Sequence, residues 1–231
     1  RNNPIFYQSN LYFLSYSFLK KFVYHIKSFI LISMNELETK KVIKIISNPQ
    51  KVWSRKEVLS KPSPIPMKNG IYAWFFKSTP PLVPVKDCLV SENKILLYAG
   101  ISPKNNTSTQ NLRKRITTHF RGNAEGSTLR LTLGTLLYEK SGYELRRVGS
   151  GKRKTLTHLG EQWLDKWMDD NAYVFWVEHD KPWTIEKDVL RHFSLPLNIQ
   201  DNEHHPFSKV LSNIRTTAKR KAEQEPIANE D

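Results

Sequence analysis

An α+β fold built on a small antiparallel sheet is what this sequence predicts, on three observations. Three runs rich in β-branched and aromatic residues have the length of strands: Ile71-Tyr72-Ala73-Trp74-Phe75-Phe76, Ile95-Leu96-Leu97-Tyr98-Ala99-Gly100-Ile101 and Ala172-Tyr173-Val174-Phe175-Trp176-Val177. Around them lie segments with apolar residues at helical spacing, such as Leu129, Leu133, Leu136 and Leu137. The 231 residues, 39% hydrophobic and 11% aromatic, suit one ordinary domain with extensions and can build a packed core. The expectation is a three-stranded antiparallel sheet flanked by helices.

Residues 1–33 differ from the rest, being rich in Phe, Tyr, Leu, Ile and Ser. The uncharged run from Asn2 to Leu19 is marginal in length for a membrane span and contains Asn2, Asn3, Gln8 and Asn10. Lys20, Lys21, His25 and Lys27 then break it, and no small-residue cleavage site follows. The first methionine is Met34, with an ordinary helix opening after it. The expectation is that Met34 is the start and that 1–33 is translated upstream sequence. A membrane-surface helix is the competing reading; stable membrane association is not expected.

Residues 34–66 read as a helical lead-in. Glu36 to Ser47 carries Val42, Ile43, Ile45 and Ile46, Ser54 and Glu57 have capping-box spacing, and Pro62, Pro64 and Pro66 make an extended stretch. The first two strand runs form an antiparallel hairpin whose long connection, residues 78–93, holds three prolines. Helices are expected from about Asn111 to Phe120, after a Ser127 cap, from Leu159 to Met168, from Trp183 to Phe193, and from His205-Pro206-Phe207 to about Ala218. Residues 140–154, basic and glycine-bearing, read as an exposed loop or hairpin, and the mixed-charge residues 216–231 as a disordered tail.

Charge narrows the function. Lys and Arg number 36 against 22 Asp and Glu, a formal +14 and a pI near 9.8, which points to a polyanionic partner, either nucleic acid or an anionic membrane surface. Cys88 is the single cysteine, so an intramolecular disulfide and CxxC zinc sites are excluded; the pattern fits a reducing cytosol and a cytoplasmic location. His204 and His205 are adjacent, point differently and lack partners for a metal.

Four short motifs follow one another: Gly70-Ile71-Tyr72, Tyr98-Ala99-Gly100, Arg115-x3-His119, and Glu186 with Asn198 twelve positions later. This ordered set resembles the GIY-YIG nuclease superfamily, over about residues 51–215 of the chain. Two departures stand out: Tyr-Ala-Gly replaces Tyr-Ile-Gly, and 25 residues separate Tyr72 from Tyr98. Ser127-Thr128-Leu129-Arg130 with Leu133-Gly134, and His205-Pro206-Phe207 with Leu211 and Arg215, are similar to a bacterial stand-alone subgroup, some of whose members resemble restriction endonucleases.

The resemblance implies that residues 67–215 form a nuclease domain. It also implies a metal-dependent endonuclease hydrolysing DNA phosphodiester bonds, with Mg²⁺ (or Mn²⁺) as the metal and no small-molecule cofactor. Such chemistry must deprotonate a water, neutralise the charge on the pentacovalent phosphorus and stabilise the leaving oxygen. By resemblance Glu186 is the metal ligand and Asn198 a positioning residue. Arg115 is the phosphate clamp, its planar fork matching two phosphate oxygens, and His119 holds or relays the proton. Arg115 and His119, four apart, share a helix face. Tyr72 or Tyr98 takes the water proton, with Tyr72 favoured; a phenol of pKa about 10 is a poor base, so a nearby cation is expected to favour the phenolate. Arg113, Lys114, Arg121, Arg146, Arg147, Lys152, Arg153 and Lys154 are candidate DNA-backbone contacts or plain surface. A single site cuts one strand, so a double-strand cut needs a homodimer or two sequential events. The alternative function is a non-catalytic DNA- or RNA-binding module on the same fold.

Overall fold

Strand β2 (Gly70–Phe76) lies at the middle of the sheet and is buried along its whole length. In this computed structural model, which describes residues 25–26 and 32–228, it pairs antiparallel with β4 (Lys94–Ser102) on one side and β7 (Ala172–Glu178) on the other. A two-residue strand closes each edge: β1 (Trp53–Ser54) on β7 and β3 (Val90–Ser91) on β4. The sheet therefore has five strands, in the order β1-β7-β2-β4-β3, not the three expected. Strands of two residues are too short to leave any alternation in the sequence.

Two compact units divide the chain, Arg1–Lys41 and Val42–Asp231. In the first, residues 32–41 are helical. The second opens on helix α1, residues 42–47. Most of the expectations for residues 1–33 fall on 1–24 and 27–31, outside the described residues. No helix among the described residues is long and apolar enough to cross a membrane.

The uninterrupted apolar run of β2 has a simple cause: both faces of the strand are covered. Its alternate residues divide between two cores. Tyr72, Trp74 and Phe76 join the larger one, with Ile116, Phe120, Leu129, Leu133 and Leu164. Ile71, Ala73 and Phe75 join the other, with Val42, Ile46, Val189 and Leu190. On β4 the register slips between Trp74↔Tyr98 and Phe75↔Leu96, leaving Leu97 as an extra residue. This bulge puts Leu97 and Tyr98 into the same core and aims Tyr98 at the side where Tyr72 lies.

Helix α2 (Arg55–Val58) starts at the capping box of Ser54 and Glu57, as the spacing predicted. Asn111 caps α3 (Leu112–Arg121), Ser127 caps α4 (Thr128–Leu136), and Gly142 at φ 74° ends α5 (Tyr138–Ser141). The basic stretch forms a hairpin of β5 (Arg146–Val148) and β6 (Arg153–Thr155). Then come α6 (His158–Asn171), a short 3-10 helix (Pro182–Thr184), α7 (Glu186–His192) and α8 (Pro206–Gln224). The single helix expected from Trp183 is thus two, broken at Ile185.

Helix α8 overruns the expected end near Ala218, and its C-terminal side is tied to the hairpin. Arg147 Nη2 donates to Glu225 O (2.9 Å), Arg146 Nη2 to Pro226 O (3.0 Å) and Ala228 N to Arg147 O (2.8 Å). Lys154 pairs with Glu223. The expected disordered tail from 216 therefore gives way, over the described residues, to helix and a strand-like bridge. Composition alone missed this because the partners lie some seventy to eighty residues upstream.

One buried ionic cluster fixes the helices that carry the site. Arg130, fully buried, donates to Glu161 Oε2 (2.6 Å), Asp165 Oδ1 (2.7 Å) and Phe120 O (3.2 Å). Arg55 Nη2 reaches the other oxygen of Asp165 (2.6 Å), and its Nε also donates to Phe120 O (3.0 Å). Two guanidinium groups thus hold the last turn of α3, next to His119.

Candidate active site

Cross-strand register brings the first two motifs together. Tyr72 on β2 lies opposite Gly100 on β4. A Cβ at position 100 would stand 2.7 Å from Tyr72 Oη, so only glycine leaves room for the phenol there. Gly70 is needed for a similar reason, since a Cβ there would run into Val177 O.

Helix α3 delivers Arg115 and His119 to the same phenol, one turn apart. His119 Nε2 is 3.1 Å from Tyr72 Oη, and Nδ1 is 2.7 Å from Ser127 Oγ. Arg115 Nε donates to Tyr72 Oη (3.4 Å) and Nη1 to Gly126 O (3.4 Å). Tyr98 Oη pairs with Thr128 Oγ1 at 3.1 Å. The Ser127-Thr128 pair at the start of α4 therefore serves both aromatic partners, His119 through Ser127 and Tyr98 through Thr128.

Asn198 acts on the backbone. Its Oδ1 accepts from Ala99 N (3.0 Å) and its Nδ2 donates to Ala99 O (2.8 Å), as a neighbouring strand would. This holds the middle residue of Tyr98-Ala99-Gly100.

Tyr72, Tyr98, Arg115, Glu186 and Asn198 all line one cleft of about 330 Å³. His119 does not reach it; it sits fully buried behind Tyr72. Lys104, Thr128, Asp201, Ser212, Arg215 and Lys219 complete much of the wall. None of these six was given a site role from the sequence. Thr128 and Arg215 stand in stretches already noted for resemblance, but only their placement around the cleft gives them a role.

Electrostatics separate the members. Burial pushes the Tyr72 phenol well above its ordinary value, with Tyr98 adding to the effect and Arg115 opposing it without prevailing. The resting group is therefore a neutral phenol, and Arg115 alone does not favour the phenolate. His119 is held well below its ordinary value by burial, then by Arg115 and Arg130, so its imidazole is neutral. The Glu186 carboxyl is raised by burial and then by Asp201, with Lys104 opposing.

Glu186 makes no side-chain hydrogen bond or ion pair among the described residues. A carboxylate drawn out of water without a partner is unfavourable unless a cation reaches it. No group of three or more His, Cys, Asp or Glu that could cage a metal exists among the described residues. One carboxylate facing a polar cleft fits a hard cation that keeps most of its waters.

The eight candidate DNA-contacting cations lie elsewhere, and none lines the cleft. Arg113 Nε donates to Ile65 O (2.6 Å) and Lys114 Nζ to Thr109 O (3.2 Å), fixing loops beside α3. Arg146, Arg147 and Lys154 hold the end of α8, as described above. Arg121, Lys152 and Arg153 are exposed on the surface.

A phenol, a guanidinium and a carboxylate thus line one cleft, with an imidazole directly behind the phenol. The model of the GIY-YIG catalytic domain matches residues 70–217, well over half of the chain, and the chain belongs to this family. The family consists of nucleases that are generally dependent on a divalent metal. No curated protein and no solved structure is a significant match.

Proposed function

We propose that the chain is a metal-dependent endonuclease that hydrolyses DNA phosphodiester bonds. The observation that carries this reading is Tyr72 and Arg115 on one wall of a cleft, with His119 hydrogen-bonded behind Tyr72, facing a Glu186 carboxylate that has no partner among the described residues.

Arg115 binds the scissile phosphate and orients it against Tyr72. Because Tyr72 rests as a neutral phenol, it cannot act as a standing base. Instead it passes its proton to His119 Nε2 as it takes one from the attacking water. This direction requires the imidazole to carry its resting proton on Nδ1, donated to Ser127 Oγ. The bound phosphate offsets the positive field of Arg115, which makes the transient imidazolium less costly. Glu186 would hold a divalent cation, Mg²⁺ or Mn²⁺, which when bound would neutralise the negative charge that develops in the reaction. Asn198 keeps the Tyr98-Ala99-Gly100 backbone in place, and Tyr98 with Thr128 orients water or phosphate at the mouth.

Supercoiled plasmid incubated with the full chain and Mg²⁺ tests the reading. Nicking or linearisation is expected, and Arg115→Ala and Glu186→Ala should each lower the rate roughly 10²–10³-fold. Salt-sensitive DNA binding with no cleavage, across several DNA and RNA substrates and with Mn²⁺ as well, would leave a binding module instead.

A further inference from the structure

Ser212, Arg215, Thr216 and Lys219 occupy one face of α8, at the i, i+3, i+4 and i+7 positions of a helix. All four line the cleft that holds Tyr98 and Glu186. Arg215 is the unusual member. It is partly withdrawn from water, and it makes no hydrogen bond or ion pair among the described residues.

Other withdrawn arginines of this chain are treated differently. Arg130 and Arg55 have carboxylates, while Arg113 and Arg147 have backbone carbonyls. Burial draws the Arg215 guanidinium below its ordinary value, and only the Tyr98 side chain opposes that. The two carboxylates of the cleft, Glu186 and Asp201, do not pair with it. A planar fork of five donors thus lines the cleft without a hydrogen-bonded acceptor among the described residues. Its desolvation is offset only when an anion arrives.

Arg115, on α3, is already engaged with Tyr72 and Gly126. A nucleic-acid strand crossing the cleft presents more than one phosphate. We propose that this face of α8 is a phosphodiester-binding track, in which Arg215 grips a phosphate flanking the scissile one and Lys219 extends the contact along the strand. The proposal rests on the nuclease reading for the identity of the cleft. It moves the DNA-backbone interface from the β5–β6 hairpin, whose Arg146 and Arg147 are spent on the C-terminal segment, to α8.

The test is DNA binding by the full chain carrying Glu186→Gln, which keeps the substrate uncut, over a series of salt concentrations and with a short mixed-sequence duplex as probe. Added Arg215→Ala should weaken binding roughly ten- to a hundred-fold. It should also reduce the slope of log K against log salt by about one phosphate contact. Arg215→Lys should restore the slope but not all of the affinity, since the fork is lost. Arg220→Ala, on the same helix but outside the cleft, removes the same charge and should change affinity by less than about threefold. Equal effects of Arg215→Ala and Arg220→Ala, with unchanged thermal melts, would overturn the track. If Arg215→Ala does not fold, Lys219→Ala and Arg215→Lys carry the comparison under the same criteria. Failure of the parent chain to cut any DNA, with the Arg215 effect on binding intact, would overturn the nuclease reading and leave the track standing.

Discussion

Two groups of buried charge flank α3 and α4, and they are handled in opposite ways. Around Arg130 every charge has a partner: Glu161, Asp165 and the Phe120 carbonyl on one guanidinium, and Asp165, Asp169 and the same carbonyl on Arg55. In the cleft, Glu186 and Arg215 are partly withdrawn from water with no hydrogen-bond or ion-pair partner among the described residues. Satisfied charge fixes the scaffold, here the turn that presents His119. Unsatisfied charge marks where a ligand must complete the interaction. The contrast also shows how differently the basic residues are used: Arg146, Arg147 and Lys154 of the densest basic run hold the end of α8, while the cations of the cleft are scattered along the sequence at 104, 115, 215 and 219.

The sharpest way to break this comparison is to remove Arg130. Arg130→Ala leaves Glu161 without its buried counter-charge and Asp165 with Arg55 alone, and breaking such a buried pair costs about 3–5 kcal/mol. Urea denaturation should show this loss, with activity falling only in proportion to the folded fraction. A stable variant that has lost activity would place Arg130 in the chemistry rather than the scaffold.

Smaller effects should come from the imidazole. The folded-state value of His119 is lowered, so the unfolded chain binds more protons below about pH 6.5. Stability therefore rises with pH from the lowered folded value up to about 6.5, and the contribution is lost as pH falls through that window. Melting temperatures of the parent and His119→Gln across this range should converge in acid and diverge near neutrality. His205 is lowered too, by burial first, and leaves a residual slope of the same sign in the variant. Parallel profiles would mean that His119 is not held neutral.

The smallest effect is expected at the hairpin. Arg147→Ala removes a hydrogen bond to Glu225 O and should lower stability by about 0.5–1.5 kcal/mol. Its DNA affinity should change far less than that of Arg215→Ala. The reverse ranking would return the interface to the hairpin.

Much of this site was legible in the sequence because the family motifs carry their chemistry locally. Tyr72, Tyr98, Gly100, Arg115, Glu186 and Asn198 line one cleft, with His119 directly behind Tyr72. The helix caps at Ser54, Asn111 and Ser127 were equally local, since each depends on residues only three apart. What the sequence could not show is what depends on distant partners. The two-residue edge strands exist only through β7 and β4. The end of α8 is held by the hairpin, and the neutral state of Tyr72 follows from complete burial under α3 and the sheet. Arg215 was visible as a residue of a resembling stretch, yet its lack of a partner is a property of three-dimensional packing alone.

On the proposed function, the carboxylate of Glu186 is kept for a cation at a cost to the fold. Its value is raised on folding, so the folded chain binds a proton more readily than the unfolded one, and ionisation above about pH 4.5 works against stability. The most direct measurement is a pair of thermal melts, with and without Mg²⁺, on the parent and on Glu186→Gln, beside plasmid cleavage by each. The account predicts that the variant is more stable without metal, by roughly 0.5–2 kcal/mol, that Mg²⁺ raises the melting temperature of the parent alone, and that only the parent cuts. A variant that is less stable than the parent, that responds equally to Mg²⁺, or that still cleaves DNA would contradict it.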